Sequence, residues 1–314
     1  FLEESNFETI HERAISRLDD LTSIKRENSE REKNEISVNT KFEKSEFEEK
    51  VKKIKEYIRS GEVIQTVLSR SISLTPSPDL DEFYMNLRKI NPSPYMFFLD
   101  FSKQEIVGSS PEALVRVNGE EVMTRPIAGT RRRGETEEDD SDLETELIND
   151  EKERAEHVML VDLGRNDIGK VSEFSSVSIP DFMNIEKYGD VQHIVSTVTG
   201  ELKEEFDSID ALRALFPAGT VTGAPKVRAM EIIDELEPTK RGIYSGSIGS
   251  ISYTGDADFA ITIRTLTSTE EKAQIQVGAG IVADSDPEEE FFETQNKARS
   301  LLRAAGVEDE NSSH

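Results

Sequence analysis

The sequence predicts an α+β fold whose sheets are built mainly from antiparallel strands. Three observations lead there. Predicted strands and helices come in separate runs rather than in regular βαβ alternation, and residues 95–124 hold several short strands around turns at Ser110-Pro111 and Asn118-Gly119. No internal repeat breaks the chain into modules. With 314 residues, the length suits about two domains or one large one and can bury a core without covalent staples.

Taken in order, Phe7, Ile10, Ala14, Leu18 and Leu21 recur at helical spacing, and the polar stretch 23–45 after them has little to bury. Residues 1–46 therefore read as a helix and a linker. A second helix is predicted over 47–59, stopped by Gly61, and VIQTVLSRSISL (63–74) has strand character up to the proline-rich segment 75–78. A short helix at 81–90 precedes the strands of 95–124, and a loop is expected over 126–138. The acidic run TEEDDSDLETE (136–146) leads into one long helix ending near 163, its charges a solvated face and partners for the N-terminal dipole. Strands near 171–179 and 191–199, helices at 209–215 and 225–236, strands within 242–282 and a closing helix at 287–304 complete the compact region 47–306. Residues 307–314 read as a disordered tail.

Composition removes several function classes. A net charge of −26 repels nucleic acid and anionic membranes. The strongly apolar run at 95–99 is too short for a membrane span and no signal segment opens the chain, so the expected compartment is the cytoplasm. No cysteine is present, which excludes disulfides, thiolate metal sites and a cysteine nucleophile on this chain.

The segment FPAGTVTGAPK (216–226) packs turn residues directly before the helical VRAMEIIDEL. Bare backbone N–H groups at a helix N-terminus attract carboxylate or phosphate, so an anionic small molecule is expected. A nucleotide P-loop is excluded because Gly219 and Gly223 are three residues apart and Pro225 precedes Lys226. Gly278, Gly280 and Ala283 fit a dinucleotide pattern, but Asp284-Ser285-Asp286-Pro287 interrupts before any helix.

Glu153 and Glu156 are three apart on one predicted helix, as are Glu290 and Glu293 on the closing one, so each pair shares a helix face. One glutamate from each helix would suffice for magnesium, which keeps positions for substrate oxygens and water. Solvated surface pairs are the plain alternative in so acidic a chain, set against the apolar Met159, Leu160, Phe291 and Phe292 nearby. His193 in VQHIVSTV is either a general acid or base or a hydrogen-bonded core histidine. Arg264, in what reads as the buried strand AITIRTL, needs an anionic partner from protein or substrate. Lys297 follows Glu293 by four residues and is either its ion-pair partner or a carboxylate clamp.

RPIAGTRRRGE, EKERAEHVMLVDLGRNDIGKV, FPAGTVTGAPKVRAMEII and VGAGIVADSDPEEEFFETQNKA, in this order, resemble the chorismate-utilising enzymes, most closely the branch of anthranilate synthase large subunits. The match covers about residues 47–306. The resemblance implies two packed sheets with helices outside, and addition of ammonia at C2 of chorismate followed by loss of pyruvate. It makes Glu156 and Glu293 the magnesium ligands, supported by Glu153 and Glu290, and gives Arg264, Tyr244, Lys297 and the backbone of Gly278, Ala279 and Gly280 to the substrate. Glu112 is implied as the acid that helps the C4 hydroxyl leave, His193 acts in pyruvate elimination, and Thr130 and Thr220 line the pocket.

Two positions bear on the branch. Isochorismate and salicylate synthases place a base, lysine, where this chain has Gln65, so amination is favoured over hydroxylation. Aminodeoxychorismate synthases commonly carry a nucleophilic lysine where this chain has Ala128, which favours anthranilate, with aminodeoxychorismate synthase as the alternative. Glutamine-derived ammonia needs a cysteine, so a separate glutamine amidotransferase subunit, or free ammonia, is implied. The resemblance also implies a sizeable N-terminal region, absent before residue 47, that supplies strands and much of a tryptophan inhibitor pocket; Asn91, Pro94, Tyr95 and Met96 match that pocket's other wall. An incomplete, non-catalytic module that binds a glutaminase is the competing expectation.

Overall fold

The computed structural model describes residues 9–13, 15–18, 35–188, 191–269 and 272–307. Two compact units are present, 1–35 and 36–314. In the first, residues 9–13 and 15–18 are helical, as the spacing of Ile10 and Leu18 predicts; Phe7, Ala14 and Leu21 lie outside the described residues. The second unit begins before residue 47. Residues 37–40 form a strand and Phe42 is buried against Phe47, so this part of the expected linker belongs to the sheet and core. The tail expected at 308–314 lies outside the described residues.

The second unit holds two antiparallel sheets. The first contains β1 (Ser37–Thr40), β2 (Gln65–Thr75), β3 (Tyr95–Asp100), β4 (Glu105–Ser110), β10 (Gly223–Ala224), β13 (Thr265–Ser268) and β14 (Ala273–Ile281), in the order β1-β2-β14-β13-β4-β3 with β10 also on β2. The second contains β5 (Ala113–Asn118), β6 (Glu121–Thr124), β7 (Ile127–Arg132), β8 (Ser178–Tyr188), β9 (Val191–Glu201), β11 (Ser247–Ile251) and β12 (Ala257–Ile261), in the order β11-β12-β5-β6-β9-β7 with β8 also on β9.

The chain changes sheet at two places that matter for the site. Pro111 and Glu112 carry it from β4 to β5, and Thr262, Ile263 and Arg264 carry it from β12 to β13. These crossings are stitched to each other: the Ser109 amide donates to the Arg264 carbonyl (3.1 Å), the Ile261 amide to the Glu112 carbonyl (3.0 Å), and the Ser110 hydroxyl to the Ile261 carbonyl (2.6 Å).

Helices cover the sheets. The closing helix Pro287–Ala304 starts where Asp286 accepts the amides of Glu288 and Glu289 and proline occupies the first turn, whose own N–H would have no partner. Phe291, Thr294, Ala298 and Leu301 then recur on one buried stripe. Leu301 and Ala298 join Leu74, Phe83, Leu87 and Ile275 in one core, while Phe291 joins Phe47, Ile54, Leu68 and Ile232 in another. A third core, with Val115, Val161, Val198, Leu215 and Ile261, lies under the second sheet.

Several expectations are corrected. Residues 127–132, expected as loop, are β7, whose register on β9 shifts between Ala128 and Arg131. The single long helix is two, Glu137–Asn149 and Glu151–Gly169, because Asp150 leaves helical geometry and caps the second by accepting the Lys152 and Glu153 amides. The strand expected near 171–179 starts only at Ser178. Arg264 does not lie in a strand; it sits at φ +50°, in the left-handed region, at the crossing itself. Within 216–226, Gly223 and Ala224 pair with Thr66 and Gln65. Lys226 donates to Asp167 and the Leu215 carbonyl, so this segment packs elements together before it presents anything to an anion.

Candidate active site

Residues from both sheets meet in one place. From the first sheet come Gln65 at the start of β2 and Gly278, Ala279 and Gly280 on β14, the middle of which pairs with Ser69, Leu68 and Val67. A Cβ at Gly280 would come within 2.6 Å of Gln65 Nε2 and displace that amide from Glu156. Gln65 is fully buried and donates through Nε2 to Glu156 Oε1 at 2.9 Å, while its Oε1 has no hydrogen-bond partner among the described residues.

The helix Glu151–Gly169 brings Glu153 and Glu156, and the closing helix brings Glu290, Glu293 and Lys297. Burial raises the pKa of Glu156, helped by the charges of Glu153 and Glu293 and opposed by the Gln65 amide. Burial also raises Glu290 to about 7, and one of its oxygens, Oε2, is buried without a partner. Glu293 is desolvated as well, yet the adjacent ammonium of Lys297, 2.5 Å away, brings it below its ordinary value. Lys297 donates in addition to the Gly278 carbonyl at 3.0 Å. Thus Lys297 is both the helical ion-pair partner and the tie between helix and β14.

Glu112 occupies the first crossing, buried. Desolvation pushes its carboxyl up to about 8, so it holds its proton near neutral pH; the Thr220 hydroxyl, the Ile127 amide and the Lys297 charge oppose the rise only in part. The Thr220 hydroxyl approaches without closing a full hydrogen bond of its own.

His193 on β9 lies 2.9 Å through Nδ1 from the Gly129 carbonyl and 3.1 Å from the Thr130 hydroxyl. A carbonyl only accepts, so Nδ1 carries the proton and Nε2 is the basic nitrogen. Desolvation lowers the pKa of His193, with Arg264 adding to the effect, and keeps the ring neutral.

Arg264 occupies the second crossing. Burial lowers its pKa, against the pull of Tyr244 and Glu293, and no described residue hydrogen-bonds or ion-pairs with its guanidinium. Beside it, Tyr244 is buried and its phenol is pushed up to about 12 by desolvation, so it is a neutral donor. Its hydroxyl lies against Gly278, where a Cβ would come within 2.7 Å.

All the residues expected at the catalytic centre therefore converge. The four assigned to an inhibitor wall do not join them directly. Tyr95 on β3 donates to Asp258 at 2.8 Å and accepts from Arg116 at 3.2 Å, Met96 packs on the first core and Pro94 is exposed. Asn91 is linked to the crossing through Ser109, whose hydroxyl donates to its carbonyl. Three contributors went unnoticed in the sequence: Gly129, whose carbonyl orients His193; Arg131, which contacts Glu146, Asp150 and Glu153; and Asp150, which caps the helix carrying two of the glutamates. The signals were available, as an aspartate three residues before the first glutamate of Glu153-x-x-Glu156 and an arginine-containing strand facing an acidic helix.

The carboxylates fit magnesium, although among the described residues no three acidic or imidazole groups form a ready cage. Glu156 is near enough to Glu293 to feel its charge, and among the described residues Glu290 Oε2 has no hydrogen-bond partner, so these carboxylates could hold a divalent cation. That is the pattern of a two-carboxylate site completed by substrate and water.

The sequence matches the family of chorismate binding enzymes over residues 2–303. Anthranilate synthase component 1 of Aquifex aeolicus is 56% identical over 270 residues, covering 86% of this chain and 55% of that protein. The crystal structure of anthranilate synthase component I from Streptococcus pneumoniae superposes with a TM-score of 0.85 at 44% identity, over 93% of this chain and 66% of the other. The menaquinone-specific isochorismate synthase of Escherichia coli gives a TM-score of 0.79 at 26% identity, over 87% and 63%. The chain spans about half the length of the curated relatives it matches.

Proposed function

This chain belongs to the family of chorismate binding enzymes, and from that premise we propose that it aminates chorismate with ammonia and eliminates pyruvate to give anthranilate, within tryptophan biosynthesis. One observation carries the reading: a desolvated cleft holds, on two stitched crossings, an unclaimed guanidinium and a carboxyl that stays protonated. Chorismate supplies a match for both, with carboxylates for Arg264 and Tyr244 and a C4 hydroxyl that leaves as water only with a proton.

Arg264 and Tyr244 bind and orient a substrate carboxylate by charge-assisted hydrogen bonds. As ammonia forms the C2–N bond, the ring double bonds shift and the C4–O bond breaks, Glu112 delivers its proton to the departing oxygen, and the new C2 ammonium releases one proton to water. In the second stage the C2 proton goes to the basic Nε2 of His193, the C3–O bond breaks, and the enolpyruvyl fragment takes up a proton at its methylene carbon to leave as pyruvate. Magnesium held by Glu156 and Glu293, with Glu153 and Glu290 in support, would supply Lewis-acid polarisation of the ring carboxylate. Gln65 is pinned by its bond to Glu156 and offers no base for water, and Ala128 is packed in β7 without a nucleophile, so both favour amination to anthranilate. A separate glutamine amidotransferase subunit supplies the ammonia, since no cysteine is present for glutamine hydrolysis, and the cytoplasm is the compartment in which we place the reaction.

Incubating the protein with chorismate, magnesium and ammonium, with products identified by fluorescence and chromatography, tests the proposal. Anthranilate plus pyruvate, lost in Glu293→Gln, supports it. Accumulation of 4-amino-4-deoxychorismate moves the chain to the folate branch, and a folded sample without turnover identifies it as a module that needs a partner.

A further inference from the structure

Glu112 also lines a small, mostly buried and partly open pocket of about 40 Å³, together with residues of the helix Glu151–Gly169. Its polar lining comes from Glu112, Thr124, Thr220 and Asp167, and the rest from leucines, alanine, glycines and Ile261. That volume admits about two or three water molecules, and a buried cavity holds water when polar groups are there to bind it. Thr220 Oγ1 is such a group, buried and lacking a hydrogen bond.

Asp167 forms the far wall. Its carboxylate is 2.5 Å from the partly buried ammonium of Lys226 and 2.8 Å from that of Lys170. The Lys170 side chain is half exposed, whereas Asp167 is buried, so a line of polar groups runs from solvent through Lys170 and Asp167 to the cavity and Glu112.

We propose that Asp167, with water in this pocket, forms a second proton path that recharges Glu112 after each turnover. The inference rests on Glu112 being the acid of the reaction above. Once its proton has left with the C4 oxygen, Glu112 is a carboxylate facing Lys297 and the bound intermediate, and the cleft is filled. The Lys170 ammonium passes a proton to the Asp167 carboxylate, Asp167 passes one to a cavity water, and that water gives one to Glu112; the amine left at Lys170 regains a proton from solvent. Charge and atoms balance, and no other reactant enters.

The path has consequences that a merely structural ion pair lacks. In Asp167→Asn the first turnover should run at the wild-type rate, because Glu112 starts protonated, while steady-state turnover falls about 10- to 100-fold with KM for chorismate unchanged; small buffer acids such as imidazolium should restore it. Lys170→Met, a change at an exposed helix end that leaves the fold intact, should show a smaller slowing of the same kind. An arm independent of turnover is the exchange of the Glu112 carboxyl proton in D2O, followed by infrared difference spectroscopy and assigned with Glu112→Gln. Exchange should be at least tenfold slower in Asp167→Asn than in wild type. Equal exchange rates in the two proteins, or a dry cavity in a high-resolution crystal structure, overturn the path. A wild type that exchanges as expected but makes no anthranilate overturns the reaction assignment instead.

Discussion

Glu112 is held in a state that costs the fold stability and serves the chemistry, and the two effects can be separated by pH. Its folded pKa, about 8, exceeds the ordinary 4.5, so the folded state binds the extra proton and stability declines as pH rises from about 4.5 through 8. Glu112→Gln should therefore raise stability, and with it the melting temperature, more at about pH 9 than at about pH 5, by up to a few kcal/mol in unfolding free energy, while kcat falls about 100-fold or more. Thermal scans at both pH values check the first part and an anthranilate assay the second; a variant destabilised at high pH would refute the protonation state. In the wild type, kcat/KM should fall as pH passes above about 8, where the acid is lost. Arg264 invites a different experiment. Its guanidinium has no described protein partner, so Arg264→Ala should spare stability yet lower kcat/KM for chorismate by about 10- to 150-fold, the equivalent of about 1.5–3 kcal/mol for a hydrogen bond to a charged group. Steady-state kinetics beside a denaturation curve distinguish this from a folding defect.

The elements show where glycine and capping chemistry hold the site together. Gly223 sits at φ +131° with the Gln65 carbonyl 2.1 Å from where a Cβ would stand. Gly223→Ala should then push β10 off β2 and displace Gln65 from Glu156, lowering both stability, by about 1–3 kcal/mol, and activity; urea melts and kinetics measure the two. Asp150→Ala removes a cap worth about 1 kcal/mol and an anchor of Arg131, so Glu153 should lose its fixed position. These elements also show what the sequence made legible. The closing helix was read with its true bounds because Asp286, Pro287 and the apolar stripe agree. β7 was missed because it holds a glycine and two arginines, with Thr130 and Arg132 exposed, and β1 because its residues are nearly all exposed, so neither shows the apolar alternation that marks a strand. The glutamate pairs, His193, Arg264 and Lys297 could be picked out one at a time, but spacing along the chain says nothing of Glu112, which matters through desolvation, a property of the packed state.

At the scale of the whole molecule, a charge of −26 opposes the approach of a dianionic substrate, and the local cations act only within about 8 Å of screening. Added monovalent salt, at constant magnesium, should accordingly raise kcat/KM for chorismate up to the point where it weakens the Arg264 contact; a monotonic decline would mean that attraction governs encounter. The two sheets differ in their strand orders and helical cover, yet they share the crossings that carry Glu112 and Arg264. Because Ser109, Ser110 and Ile261 tie one crossing to the other mainly through backbone groups, the distance between acid and guanidinium is indifferent to which side chains occupy the outer strands. Such a seam works as a gauge block. Descendants of this chain can remodel their rims, and with them their choice of acceptor and product, while inheriting the one spacing that would be hardest to rediscover.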